Sequence, residues 1–75
     1  MDVRINVRHN DLDSVLDLSV VKDAVSRVEK SLGENGRLVL RKSGTEPLIR
    51  VMIEATDMGI ASELANSLAE VIKEN

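Results

Sequence analysis

The residues best suited to chemistry lie between positions 41 and 50, in the stretch RKSGTEPLIR. Arg41 and Arg50 stand at its two ends, and small hydrogen-bond donors lie between them, namely Ser43, Gly44 and Thr45. A guanidinium group binds phosphate oxygens through paired, charge-assisted hydrogen bonds. Glycine allows backbone angles that direct successive N–H groups at one point, forming an anion nest. The stretch therefore predicts a cradle for a dianionic phosphate monoester.

Residue types alone leave a second interpretation open, in which residues 43–47 are only the turn of a β-hairpin with its arginines in solvent. The flanking strands favour the anion site. Apolar residues alternate with polar ones before the turn, at 38 and 40, and after it, at 49, 51 and 53. If these residues share the core, period two puts Arg41 and Arg50 together on the opposite face. Like charges held that close repel each other unless an anion lies between them.

Three neighbours of these donors have secondary roles in this interpretation. We expect Glu46 to accept hydrogen bonds from backbone N–H groups or to pair with Arg41. Lys42 should point away from Arg41, as a solvated or peripheral charge. Pro47 lacks an N–H group and suits the exit of the loop before the next strand.

Composition excludes several classes of partner. The chain has 75 residues and a net charge of −3, with no Phe, Trp, Tyr or Cys and a single His. Base stacking and general polyanion binding are therefore disfavoured, so we expect no nucleic-acid partner. A disulfide framework or a zinc site is not expected, and no apolar run reaches the length of a membrane span. Met1 is followed directly by a charged segment, which predicts a cytoplasmic protein, either free-standing or a domain with Met1 added.

Hydrophobic periodicity predicts the order strand, helix, strand, strand, helix. The first strand covers residues 3–8, and residues 9–17 form a polar loop with room for a short edge strand near Val15. Ser19 is the expected N-cap of the first helix, which Gly33 ends. Thr56 or Asp57 caps the last helix. The apolar stripe of the first helix is Val21, Ala24, Val25, Val28 and Leu32. That of the last helix is Ile60, Leu64, Leu68, Val71 and Ile72, with Ala61 and Ala65 beside it.

These elements predict an α+β domain, a two-layer sandwich of β-α-β-β-α order. A mostly antiparallel sheet of three or four strands should carry both helices on one face. The other face should stay open, with Val39 and Met52 exposed on it. Patterning does not specify the strand order.

The segment RKSGTEPLIRVM at residues 41–52 resembles the phosphate-binding loop of the α-D-phosphohexomutase superfamily. It is most similar to the bacterial phosphoglucosamine mutase family, whose last domain carries R-x-S-G-T-E-P-x-x-R-V-M. INVR at 5–8 and GRLVL at 36–40 resemble two strands of that domain. The resemblance covers essentially the whole chain, but only the last of the family's four domains.

The resemblance implies that residues 1–75 are one phosphate-binding domain of a larger enzyme. That enzyme interconverts glucosamine 6-phosphate and glucosamine 1-phosphate for cell-wall precursors. By this resemblance, this domain would hold the phosphate that is not being transferred. Rotation of the domain would close the active-site cleft that it shares with the other domains. The implied binding residues are Arg41, Ser43, Gly44, Thr45 and Arg50, with Glu46 contacting the sugar.

The chemistry of the family lies in its other domains. A phosphoserine of the first domain transfers the phosphoryl group, and aspartates of the second hold magnesium. The resemblance therefore implies no catalytic residue, metal ligand or cofactor in this chain, and no activity of the isolated chain. Its implied partners are the phosphosugar and the remaining domains.

Two alternatives stay open. The first is a sister enzyme, a phosphomannomutase or phosphoglucomutase, because S-G-T-E-P also occurs in such relatives; the continuation LIRVM favours the glucosamine enzyme. The second is a non-catalytic domain whose hairpin binds another protein.

Overall fold

A three-stranded sheet forms one layer of the molecule, and its strands are β1 (Asp2–Arg8), β2 (Gly36–Lys42) and β3 (Leu48–Ala55). The computed structural model describes residues 2–75. The strand order is β1-β3-β2, and β3 pairs antiparallel with both neighbours. The predicted hairpin and antiparallel sheet are confirmed. Within residues 2–75 there is no fourth strand.

Residues 12–17 form a short helix, α1 (Leu12–Asp17), where a loop with an edge strand was predicted. Asp11 caps it, because its carboxylate accepts the Ser14 N–H at 3.2 Å. Val15 is only 1% exposed and packs into the core. The loop prediction was wrong because Leu12, Val15 and Leu16 follow the three- and four-residue spacing of a helix.

The second helix is α2 (Ser19–Leu32), and it begins one residue earlier than predicted. Leu18 is the N-cap and Ser19 is the first helical residue, so Ser19 does not cap the helix. Gly33 ends it with a φ of 55°, as predicted, since glycine adopts a positive φ without strain. The buried face matches the predicted stripe: Val21, Ala24, Val28 and Leu32, with Val25 half-buried.

The last helix, α3 (Met58–Glu74), is capped by Asp57, whose carboxylate accepts the Ile60 N–H at 3.1 Å. Its buried face is Ala61, Ala65, Leu68, Ala69 and Ile72. Ile60 is 48% exposed, so its predicted place in the core was wrong. Leu64 and Val71 are half-buried. The helix faces the sheet through its alanines because their small side chains let the helix approach the large side chains of β3.

The core lies between the sheet and the helices. Ile49, Val51 and Ile53 on the central strand are 0% exposed. The apolar residues of the edge strands stand opposite them in register, with Val7 paired to Ile49 and Leu40 to Val51. α3 packs on β1 and β3, and α2 packs on β2 and α3. The predicted two-layer architecture is therefore confirmed.

The other face of the sheet carries no helix. Val39 and Met52 lie there and are half-buried rather than exposed as predicted. Arginine side chains beside them, Arg4, Arg41 and Arg50, line the same hollow. The long aliphatic stems of arginine cover apolar neighbours while the charged ends stay in water. Within residues 2–75, no helix is both long enough and apolar enough to cross a bilayer.

Candidate anion-binding site

Arg41 and Arg50 stand directly opposite each other in the β2–β3 register. Residues opposite each other in antiparallel strands have Cβ atoms about 4.5–5.5 Å apart and point to the same face. Both arginines are exposed, and neither forms an ion pair with any residue from 2 to 75. The predicted juxtaposition of two cations at the base of the loop is therefore present, with their charges uncompensated by that part of the chain.

A third arginine lies close to this pair. Arg4 of β1 lines a hollow of about 230 Å³ with Arg41, Arg50, Val39 and Met52. Its guanidinium lies 3.2 Å from the Asp2 carboxylate, so its charge is partly balanced. Sequence reasoning left Arg4 out of the site because the strand order was unknown. The alternation of residues 3–8 did place it on the polar face of its strand.

The loop between the strands is closed by hydrogen bonds of its own backbone. The Ser43 N–H donates to the Leu48 carbonyl at 2.9 Å, and the Leu48 N–H donates to the Glu46 carbonyl at 2.8 Å. The Ser43 Oγ accepts the N–H groups of Thr45 at 3.4 Å and Glu46 at 3.3 Å. Two successive N–H groups therefore converge on one oxygen position.

Gly44 does not play the backbone role expected of it. Gly33 is the only residue with a positive φ among residues 2–75, so Gly44 supplies no left-handed step for a nest. The N–H groups converge instead because the Ser43 hydroxyl draws them together. The space around Gly44 is open, with no atom within 4 Å of where a Cβ would stand.

Glu46 contacts a different arginine from the predicted one. Its carboxylate Oε2 lies 3.5 Å from the Arg8 Nη2, and it does not pair with Arg41. Arg8 ends β1, which lies on the far side of β3 from Arg41. The sequence did not indicate this contact because 38 positions separate the two residues.

The segment after β1 also supports the loop through two further contacts. The His9 N–H donates to the Pro47 carbonyl at 2.9 Å. Lys42, which points away from the two arginines as predicted, forms an ion pair with Asp13 of α1. The loop is therefore joined to the start of the chain as well as to its own hairpin.

Charge is divided unevenly between the two layers. The open face and its loop carry five arginines against three carboxylates (Asp2, Glu46 and Glu54), a net charge of +2. The remaining side chains then carry −5, because the whole chain is −3. An anion approaching this molecule is attracted by the open sheet face and repelled by the helical face.

A protein-family model matches most of this chain. The model of the phosphoglucomutase/phosphomannomutase C-terminal domain matches residues 5–71. This chain belongs to that family. The predicted resemblance to the phosphohexomutases is thereby confirmed, and the matched range contains the loop and all three strands except the first residues of β1.

Curated phosphoglucosamine mutases are similar to this phosphohexomutase domain over almost its whole length. The enzyme of Leifsonia xyli subsp. xyli is 50% identical over 72 residues, and that of Pseudoalteromonas atlantica is 51% identical over 69. These alignments cover 96% and 92% of the chain but 16% and 15% of the relatives. The chain thus spans about one sixth of the length of these enzymes.

A solved structure shares the fold. The N-acetylglucosamine-phosphate mutase in its product complex, a member of the alpha-D-phosphohexomutase superfamily, superposes with a TM-score of 0.76 at 23% identity. The match covers 96% of this chain and 15% of that protein. The α+β fold is therefore the fold of a phosphohexomutase domain.

Proposed function

We propose that this chain binds the phosphate group of a phosphosugar, as the phosphate-positioning domain of a phosphoglucosamine mutase. The observation that carries the proposal is the direct pairing of Arg41 with Arg50 at the base of the loop. The repulsion between these two guanidinium groups is relieved when a dianion lies between them. A pair of this kind suits a family whose substrates are sugar phosphates.

The loop completes the cradle with neutral donors. The Ser43 hydroxyl hydrogen and the N–H groups of Thr45 and Glu46 can all donate to phosphate oxygens. The two N–H groups donate to the Ser43 Oγ at 3.3 and 3.4 Å, which is longer than the usual 2.7–3.2 Å. These internal hydrogen bonds are therefore weak, and replacing them with hydrogen bonds to a ligand costs little free energy. Gly44 leaves room for the ligand beside the loop.

A site built from these groups recognises the phosphate and not the sugar. It would therefore accept 1-phosphate and 6-phosphate esters alike, as a mutase requires when its substrate turns over between half-reactions. The proposed reaction of the full-length enzyme is the interconversion of glucosamine 6-phosphate and glucosamine 1-phosphate. The names of the curated relatives favour this substrate over mannose or glucose phosphates.

We propose that the reacting groups of that enzyme lie in its other domains. We also propose that the whole enzyme is cytoplasmic. Among residues 2–75, no three His, Cys, Asp or Glu side chains are close enough together to hold a metal ion. In keeping with the family resemblance, we assign both magnesium and the phosphoserine to the rest of the full-length enzyme. The role left to this domain is to bind and orient the phosphate that is not transferred.

An amide NMR titration of the chain with glucosamine 6-phosphate tests the proposal. Shift changes should cluster at residues 41–50 in the wild type. Arg41→Ala and Arg50→Ala should each weaken binding by about 1.5–3 kcal/mol, the range for hydrogen bonds to charged groups. Lys42→Ala is the matched control, since this neighbouring cation points away and pairs with Asp13.

Two results would contradict the proposal. One is equal, negligible effects of all three substitutions. The other is a set of shift changes centred on the helices, which would favour a domain that binds proteins.

A further inference from the structure

We propose that Arg8 is a positioning residue of the anion site, which holds the Glu46 carboxylate away from Arg41 and Arg50 and so keeps the cradle free. This inference rests on the proposed function. Arg8 acts through Glu46, and we do not assign it a contact with the ligand.

Glu46 is poorly placed for an anion site unless its side chain is directed elsewhere. It follows Thr45 directly, and its own N–H group is one of the proposed phosphate donors. A carboxylate makes the same paired hydrogen bonds to a guanidinium group as a phosphate does. Glu46 is therefore a potential competitor for Arg41 and Arg50 that is permanently attached to the loop.

The strand order determines where that carboxylate goes. Arg41 lies on β2 and Arg8 lies on β1, on opposite sides of the central strand β3. Arg8 stands opposite Leu48, the first residue of β3 and two positions from Glu46. The Arg8 guanidinium reaches the Glu46 Oε2 at 3.5 Å, so the acid is drawn towards β1 and away from Arg41.

This ion pair does not hold the fold together. The Arg8 and Glu46 side chains are 72% and 54% exposed, and pairs this exposed contribute little to stability. The backbone contact beside it, from the His9 N–H to the Pro47 carbonyl at 2.9 Å, does not depend on either side chain. Replacing Arg8 should therefore redirect the carboxylate and leave the loop in place.

Arg37 provides a matched control on the same face of the sheet. Its side chain is 71% exposed, and it forms an ion pair of the same kind, with Glu54 at 3.1 Å. It lies at the opposite end of β2 from Arg41. Arg37→Gln therefore makes the same change in net charge as Arg8→Gln without releasing a carboxylate near the loop.

The test is a sulfate titration of the chain at neutral pH followed by amide NMR, because sulfate is a tetrahedral dianion like the phosphate group of the proposed ligand. Arg8→Gln should weaken sulfate binding at least about threefold more than Arg37→Gln does, within the range for coupling between neighbouring residues. Arg8→Lys should restore most of the affinity. In the background of Glu46→Gln, Arg8→Gln should have no larger effect than Arg37→Gln.

The outcomes are distinguishable. Equal effects of Arg8→Gln and Arg37→Gln overturn the inference. A deficit that persists in the Glu46→Gln background also overturns it, because Arg8 would then contact the anion itself. A wild-type chain that binds no sulfate at residues 41–50 overturns the proposed function and the inference with it.

Discussion

At the scale of single residues, the pairing of Arg41 with Arg50 favours anion binding but lowers the folding stability of the chain without a ligand. Like charges directly opposite in a sheet destabilise it, and cross-strand pairs contribute roughly 0.2–1 kcal/mol. Among residues 2–75, no carboxylate pairs with either arginine. The same two side chains that suit a dianion therefore weaken the β2–β3 pairing when none is bound.

Arg41→Gln should accordingly make the protein more stable in buffer free of multivalent anions, by about 0.2–1 kcal/mol. It should at the same time weaken phosphate binding. Urea unfolding monitored by circular dichroism measures the first effect and a phosphate titration the second. Arg37→Gln, which removes an attractive pair with Glu54, should not increase stability. A loss of stability in Arg41→Gln would contradict the repulsion.

At the scale of elements, the docking of α3 is the clearest departure from sequence expectation. The helical pattern put Ile60 in the apolar stripe with Ala61 and Ala65 beside it, whereas in the structure both alanines are 0% exposed and Ile60 is 48% exposed. An amphipathic pattern indicates the centre of the apolar face to within a residue or so. The rotation that packs best depends on the volume offered by the facing strand.

Ala65→Leu should therefore destabilise the protein by about 1–3 kcal/mol, because the added atoms have no space between α3 and the sheet. Ile60→Ala should change stability by no more than about 0.5 kcal/mol, since Ile60 is 48% exposed and lies outside the buried core. Thermal and urea unfolding of both variants provide the measurement. The opposite order of the two effects would support the rotation that the sequence pattern suggested.

At the scale of the whole molecule, the separation of charge links anion binding to the stability of the fold. The open face and its loop carry +2 and the rest of the chain −5. An anion that binds the folded chain and not the unfolded one stabilises it by mass action. The effect is distinct from simple screening, which acts on exposed charges everywhere.

Phosphate at ten times its dissociation constant should stabilise the chain by about 1.4 kcal/mol. For a domain of this size, each kcal/mol raises the midpoint of thermal unfolding by about 4–8 °C. Sodium chloride at the same ionic strength should raise the midpoint of thermal unfolding by less than phosphate does. In Arg50→Ala, the two salts should raise it equally. Equal shifts with both salts, or a full phosphate effect in Arg50→Ala, would count against binding at the loop.

Local patterning determined the parts of this protein that depend on neighbours along the chain. The alternation of residues 36–42 and 48–55 forced Arg41 and Arg50 onto one face, because successive side chains in a strand point to opposite sides. The buried stripe of α2 and its end at Gly33 followed from the sequence, whereas its start was predicted one residue too late. The loop and the family were recognisable from residues 41–52 alone.

Tertiary structure decided what depends on distant parts of the chain meeting. The central position of β3 brings Arg4 into the same hollow as Arg41 and Arg50, and it brings Arg8 to the loop, where it pairs with Glu46. The rotation of α3 likewise arises from packing on the sheet. Contacts between segments far apart in sequence select these arrangements, and the pattern of residues within one segment does not specify them. The helix at residues 12–17 is different, because the spacing of Leu12, Val15 and Leu16 already indicated it.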